Sequence, residues 1–164
     1  MDKSETRQLY KEIRKNIDGR TDKENAIADK LFGLFGNCRS IFCYQSFGSE
    51  VSTELIIKEY LSRGAAVYVP EVCGENMLLK NLASGEVTDT ACELTIVPLL
   101  AFDDFCGRIG YGKGYYDRYL AGHGTTSVGI AFSEQYCNNL PKTALDVPLS
   151  YIITPDTIVK SGDL

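Results

Sequence analysis

The sequence predicts one α/β domain whose helices cover a mostly parallel sheet. Three observations carry that reading. Residues 40–70 read strand, helix, strand, which implies a parallel pair and a right-handed crossover. "ELTIVPLLAF" at 93–102 is a continuous apolar run, the mark of a strand buried on both faces. The 164 residues contain no repeat, low-complexity tract or linker, so residues 1–164 form a single domain.

The elements follow in order. In the first helix Leu9, Ile13 and Ile17 repeat every fourth residue and Gly19 acts as a stop. At 100° per residue, Lys3, Arg7, Lys11 and Arg14 fall within about 80° of one another, roughly 120° from that apolar stripe. Leu9 and Ile13 are therefore expected to pack, leaving the basic stripe to a partner or solvent. A second helix opens with a capping box, Thr21 to Glu24, and should turn Ile27, Leu31, Phe32 and Leu34 inward. "SIFCYQ" reads as a strand, and "STELIIKEYLSRG" as a helix capped by Ser52 or Thr53 and stopped by Gly64. "AAVYVP" is a second strand, closed by Pro70. "MLLKNL" reads as another strand, "YYDRYLAG" as a helix, and "TSVGIAF" and "YIIT" as further buried strands.

Bulk properties exclude several functions. A composition of 44% hydrophobic and 24% charged residues is globular, and a net charge of -5 disfavours nucleic acid or anionic membranes as partners. No apolar run reaches membrane-span length and "MDKSETRQLYKEIRK" lacks a signal-peptide core, so a cytoplasmic protein is expected. Cys38, Cys43, Cys73, Cys92, Cys106 and Cys137 show no C-x-x-C spacing, which fits buried thiols in a reducing compartment better than zinc or disulfides. His123, the only histidine, stands at a helix end, where a dipole contact suits it better than catalysis.

In such sheets ligands sit at the carboxyl ends of the strands. Three polar features land there: Gln45 to Glu50, the loop from Phe102 to Lys113, and Asp146. The stretch "GRIGYGKGYYDRYL", residues 107–120, nearly spells a P-loop, but Gly114 stands where Ser or Thr would hold magnesium. Gly110, Gly112 and Gly114 let backbone N–H groups approach an anion, and the loop leads into a helix start that favours phosphate. Arg108 offers a bidentate fork and Lys113 a mobile charge. Tyr111, Tyr115 and Tyr116 are placed to stack on a flat ring or to pack the loop down. Asp117 is open to two roles, a salt bridge with Arg118 or a magnesium ligand. Asp146 is a second such carboxylate, with turn formation as the plainer role, and Glu50 alone reads as a solvent-facing charge near a helix start.

The chain resembles the 5-formyltetrahydrofolate cyclo-ligase family, also called methenyltetrahydrofolate synthetases. "TIVPLLAFDDFCGRIGYGKGYYDRYL" is similar to its signature, a strand followed by F-D and then G-x-R-[LI]-G-x-G-x-G-Y-Y-D. "SEVST", "VYVP", "GIAFSEQ" and "LDVPLSYIIT" extend the resemblance along the chain. It implies a three-layer α/β/α, Rossmann-like domain whose partners are small molecules; a monomer is expected. It also implies ATP- and Mg2+-dependent cyclisation of 5-formyltetrahydrofolate, a reduced folate, to 5,10-methenyltetrahydrofolate with release of ADP and phosphate. By matching position, Lys3 and Arg7 bind ATP phosphates. The segment Arg108, Ile109, Gly110, Tyr111, Gly112, Lys113, Gly114, Tyr115 and Tyr116 wraps the triphosphate, with Arg108, Lys113 and Tyr116 as catalytic residues. Gln45 and Glu50 match the folate side together with Tyr111 and Tyr115, and Asp117 and Asp146 match acidic positions associated with magnesium.

Two departures from the family pattern stand out. A longer G-x-x-G-I-x-E-P segment in many relatives is replaced here by "ASGEVTDTAC", and Ser150 ends a motif that often reads D-V-P-L-D. They motivate a rival reading, a non-catalytic binder of nucleotide or reduced folate. A P-loop kinase is a third, opposed by Gly114 and by the lack of an acidic partner strand.

Overall fold

A computed structural model describes residues 1–162, so the last two residues of the 1–164 span lie outside the described residues. The helices are α1 (Lys3–Lys15), α2 (Arg20–Phe35), α3 (Glu54–Ser62) and α4 (Tyr115–Gly122). The strands are β1 (Ser40–Cys43), β2 (Ala66–Cys73), β3 (Asn76–Asn81), β4 (Val87–Thr88), β5 (Leu94–Val97), β6 (Ala101–Phe102), β7 (Arg108–Ile109), β8 (Thr126–Ile130), β9 (Tyr151–Ile153) and β10 (Ile158–Lys160). Eight strands form one sheet in the order β10-β9-β8-β5-β1-β2-β3-β4, and β6 pairs with β7 in a separate hairpin. The five central strands are parallel to one another, while at the edges the β9–β10, β2–β3 and β3–β4 pairs are antiparallel.

Strand order explains the layers. From β1 the chain moves one way to β2, and from β5 it moves the other way to β8. Right-handed crossovers in opposite directions put their helices on opposite faces. Accordingly Ile41 and Cys43 of β1 pack with Ile27 and Leu31 of α2 and Ile56 and Tyr60 of α3, whereas Phe42 packs with Tyr119 of α4. Every residue of β5 is buried, and its one polar member, Thr95, pairs its hydroxyl with that of Thr125 at 2.9 Å. The direction reverses between β1 and β5, and the crevice beyond their carboxyl ends is the expected ligand position.

Several local expectations are corrected. In α1 the buried residues are Thr6, Tyr10 and Arg14, while Leu9 is 42% exposed. Part of the basic stripe thus faces the protein body, because buried arginine is tolerated where its donors find acceptors. The capping box is absent: Gly19 caps α2 at φ 65°, and Glu24 accepts from the Ser52 amide instead. Leu34 is exposed. Pro70 does not close β2, which runs on to Cys73; beyond Tyr68 only β3 pairs with it, and a proline is tolerated on such an edge. The apolar run 93–102 breaks at Pro98 into β5 and β6. Cys73 is exposed rather than buried, and among the described residues the cysteines form no disulfide. α3 ends as expected: Gly64 at φ 82° and Ala65 bond back to Leu61 and Tyr60 in a Schellman motif.

Candidate active site

The glycine-rich loop is built from both sides. Before it, Asp103 is 5% exposed and its Oδ1 accepts from the Phe105 amide at 3.0 Å and the Gly107 amide at 2.8 Å, closing the β6–β7 hairpin. After it, Gly114 at φ 73° starts α4, and Gly112 sits at φ 101°, a backbone that side-chain-bearing residues rarely adopt. A Cβ on Gly112 would meet Arg7 Cζ at 3.2 Å, so the glycine admits the arginine. Arg7 Nε in turn donates to the Gly110 carbonyl at 2.9 Å. At the far end Tyr115 donates to the Gly74 carbonyl at 2.9 Å and Arg118 Nη2 to the Glu75 carbonyl at 2.8 Å, tying α4 to the β2–β3 turn.

These segments enclose a cleft of about 570 Å³, a size typical of small-molecule sites. Lys3, Arg7, Arg108, Ile109, Gly110, Tyr111, Gly112, Lys113, Gly114, Tyr115, Tyr116, Asp117 and Asp146 all line it, joined by Pro98, Arg118, Ala121, Thr143 and Leu145. Pro98 directly follows β5, so the cleft opens at the carboxyl end of a strand beside the point where the strand order reverses.

Charge is unevenly settled within it. Arg108 Nη1 donates to the Pro98 carbonyl at 3.2 Å and its guanidinium lies over the Tyr116 ring at 5.4 Å. Its buried Nε has no hydrogen-bond partner among the described residues. Burial presses the Arg108 pKa down, against the charges of Asp117, Tyr116 and Asp146, which raise it. Lys3 Nζ reaches both Asp146 oxygens at 2.8 Å. Burial opposes ionisation of Asp146, but the Lys3 hydrogen bond, the Thr143 amide and the charges of Lys3 and Arg108 together hold its pKa below the ordinary value. Asp117 makes no ion pair with Arg118; its Oδ1 accepts from the Val147 amide at 3.1 Å. Burial pushes the Tyr116 phenol far above its ordinary pKa, so it stays protonated and serves as packing and as a hydroxyl.

Gln45 and Glu50 are not brought into the cleft lining. Gln45 is exposed, and Glu50 is 6% exposed behind Tyr111. Glu50 Oε1 accepts from the Phe47 amide at 2.8 Å and Oε2 from the Tyr111 hydroxyl at 2.9 Å. Behind them lies Arg14, a residue that the sequence pattern places on a stripe facing a partner or solvent. Its position seven residues after Arg7, two helical turns along one face, was the signal that could have found it.

Among the described residues no cluster of three or more His, Cys, Asp or Glu stands ready to hold a metal. Asp117 and Asp146 alone suit an ion whose shell phosphate oxygens and water complete, as magnesium commonly accepts. His123 takes the helix-end role expected of it, with Nδ1 2.8 Å from the Tyr119 carbonyl and Nε2 2.9 Å from Asp89. No helix among the described residues is long and apolar enough to cross a membrane.

Comparison with known proteins bears on the same region. Residues 79–155 match the 5-formyltetrahydrofolate cyclo-ligase family. The chain is 27% identical over 160 residues to a probable 5-formyltetrahydrofolate cyclo-ligase of Schizosaccharomyces pombe, covering 76% of this chain and 78% of that protein. It is 28% identical over 144 residues to the 5-formyltetrahydrofolate cyclo-ligase of Escherichia coli K12, covering 73% and 79%. The fold matches a 5,10-methenyltetrahydrofolate synthetase from Aquifex aeolicus at a TM-score of 0.83 and 26% identity, over 100% of this chain and 95% of that one. A second, from Mycoplasma pneumoniae, matches at a TM-score of 0.84 and 23% identity, over 94% and 99%.

Proposed function

From its similarity to the 5-formyltetrahydrofolate cyclo-ligase family we propose that this chain cyclises 5-formyltetrahydrofolate to 5,10-methenyltetrahydrofolate at the cost of one ATP. The observation that carries the reading is the gathering of Lys3, Arg7, Arg108 and Lys113 around one glycine-rich loop, in one cleft, with two carboxylates. Four cations drawn from α1, β7 and the loop exceed what Asp117 and Asp146 neutralise, and a polyanion answers that surplus.

The chemistry suits such a site. A formamide oxygen is a poor leaving group, so it first attacks the γ-phosphorus of ATP and ADP leaves. N10 of the folate then attacks the activated formyl carbon, the five-membered ring closes, and the C–O bond breaks to release inorganic phosphate. Phosphoryl transfer needs positioning and charge neutralisation more than covalent help from the protein. Arg108 and Lys113 face the transferring phosphoryl group, Lys3 and Arg7 hold the remaining phosphates, and the glycines bring backbone N–H groups close. Asp117 and Asp146 are the residues that would hold Mg2+, and the ion would supply neutralisation of phosphate charge. Tyr116 keeps its proton and packs beneath Arg108. Tyr115 and Gln45 border the folate, and Glu50 accepts from the pterin N–H groups.

Purified protein mixed with Mg-ATP and 5-formyltetrahydrofolate is expected to form methenyl-folate absorbance with equimolar ADP. Absence of product at high enzyme concentration overturns the proposal. The short segment "ASGEVTDTAC" and Ser150 favour the non-catalytic alternative. Calorimetry showing tight folate binding without ATP turnover would select it.

A further inference from the structure

We propose that Arg14 is a positioning residue that aims the Glu50 carboxylate at the folate side of the cleft through the Tyr111 hydroxyl. The proposal rests on the folate reading above. Arg14 is 5% exposed, and its nitrogens reach three separate segments. Nε donates to Ser49 Oγ at 2.9 Å, Nη1 to the Leu99 carbonyl at 3.0 Å and Nη2 to the Tyr111 hydroxyl at 2.7 Å.

The direction of this chain of bonds is forced. A guanidinium only donates, so the Tyr111 oxygen accepts from Arg14 and its single proton goes to Glu50 Oε2 at 2.9 Å. Burial raises the Tyr111 pKa even against the Arg14 charge, so the phenol keeps that proton at neutral pH. With the Phe47 amide on Oε1 at 2.8 Å, both Glu50 oxygens are fixed while each retains acceptor capacity. A carboxylate held in this way lies 6% exposed behind Tyr111, with remaining lone pairs that match a pair of adjacent N–H donors, the edge that an aminopyrimidinone ring offers once it reaches past that ring.

The neighbouring contacts show why arginine stands at this position. Gln135 Nε2 donates to the Leu99 carbonyl at 2.9 Å, so Arg14 and Gln135 share that oxygen and fix the chain just after β5. Lysine, a single point donor, cannot span Ser49, Leu99 and Tyr111 together. Arg7, two turns earlier on the same face, serves a different target, the Gly110 backbone.

Arg14→Lys and Tyr111→Phe are the test, with KM for 5-formyltetrahydrofolate and for ATP measured separately beside thermal stability. Each variant is expected to raise the folate KM about tenfold and to leave the ATP KM within about twofold. The double variant should be little worse than the poorer single one, because both break one chain of contacts. Tyr111→Phe removes only an oxygen from a residue 39% exposed, so it keeps the question open to measurement even if Arg14→Lys fails to fold. A wild-type folate KM in Tyr111→Phe overturns the proposal, as do multiplicative effects in the double variant or parallel loss of stability and of both KM values. If the wild-type protein makes no product, the functional reading falls and the relay with it. If the wild type is active and both variants match it, the relay alone falls.

Discussion

The two ends of the site use the same residue types in opposite ways. At the Glu50 end, Arg14, Tyr111, Ser49, Glu50 and the Phe47 amide satisfy one another in a partly buried network. At the loop end, Arg108 has a buried nitrogen with no partner among the described residues, and Lys113 stands exposed on the cleft wall. An unpaired buried donor is unfavourable for the protein alone, and on the proposed function the nucleotide supplies its acceptor. A closed network marks the reverse, an acceptor arranged before the ligand arrives. On the proposed function, one end is completed by its ligand and the other is prearranged for it.

The widest break in that contrast comes from removing the unpaired cation. Arg108→Ala should lower kcat/KM by about a hundredfold to a thousandfold, the range seen when one donor to developing charge is lost. Arg108→Lys should recover little, because the fork that reaches two oxygens is gone. Steady-state kinetics decide it: activity within about tenfold of wild type would mean that the surplus of donors at this end is incidental. A smaller effect is expected from Gly112→Ala. The φ of 101° and the Arg7 contact at 3.2 Å set two obstacles, backbone strain of roughly 1–2 kcal/mol and displacement of Arg7. The ATP KM should rise about tenfold while the folate KM stays within about twofold, which titration of each substrate against the other at saturation measures. A parallel rise in both would show that the two ends act as one.

The same contrast explains which parts of the molecule were legible in the sequence. The parallel sheet was legible because β1, β5, β8 and β9 are apolar runs, and burial on both faces leaves no other composition. The loop end was legible because glycine, arginine and lysine advertise themselves in one short stretch. The Glu50 end was not. Its organiser, Arg14, is a charged residue on a helix whose period pointed to Leu9, and hydropathy cannot register that an arginine has found three acceptors. Glu50 alone looked like a surface charge because its partner Tyr111 is 61 residues away in sequence. Edge effects were likewise hidden: Pro70 is harmless only because β2 lacks a second neighbour there, and pairing is a property of the sheet rather than of the segment.

The smallest effect concerns Asp146, where the loop end is partly closed by Lys3. If that ion pair does for the loop end what Tyr111 does for Glu50, it should stabilise the protein without its ligand. A carboxyl whose folded pKa is depressed contributes stability that is present above its unfolded value, near 3.9, and is lost as pH falls through the folded value. Urea unfolding of wild type and Asp146→Asn should therefore differ at pH 7, by at most about 1 kcal/mol because the pair is partly exposed and screened. As pH falls below the unfolded value and through the folded one, the difference should shrink towards zero, since the protonated aspartate no longer holds the Lys3 charge. A gap that stays constant from pH 7 to pH 3 would assign the effect to the Thr143 turn rather than to Lys3. The loop end would then owe nothing to its internal ion pair, and its contrast with the Glu50 network would be complete.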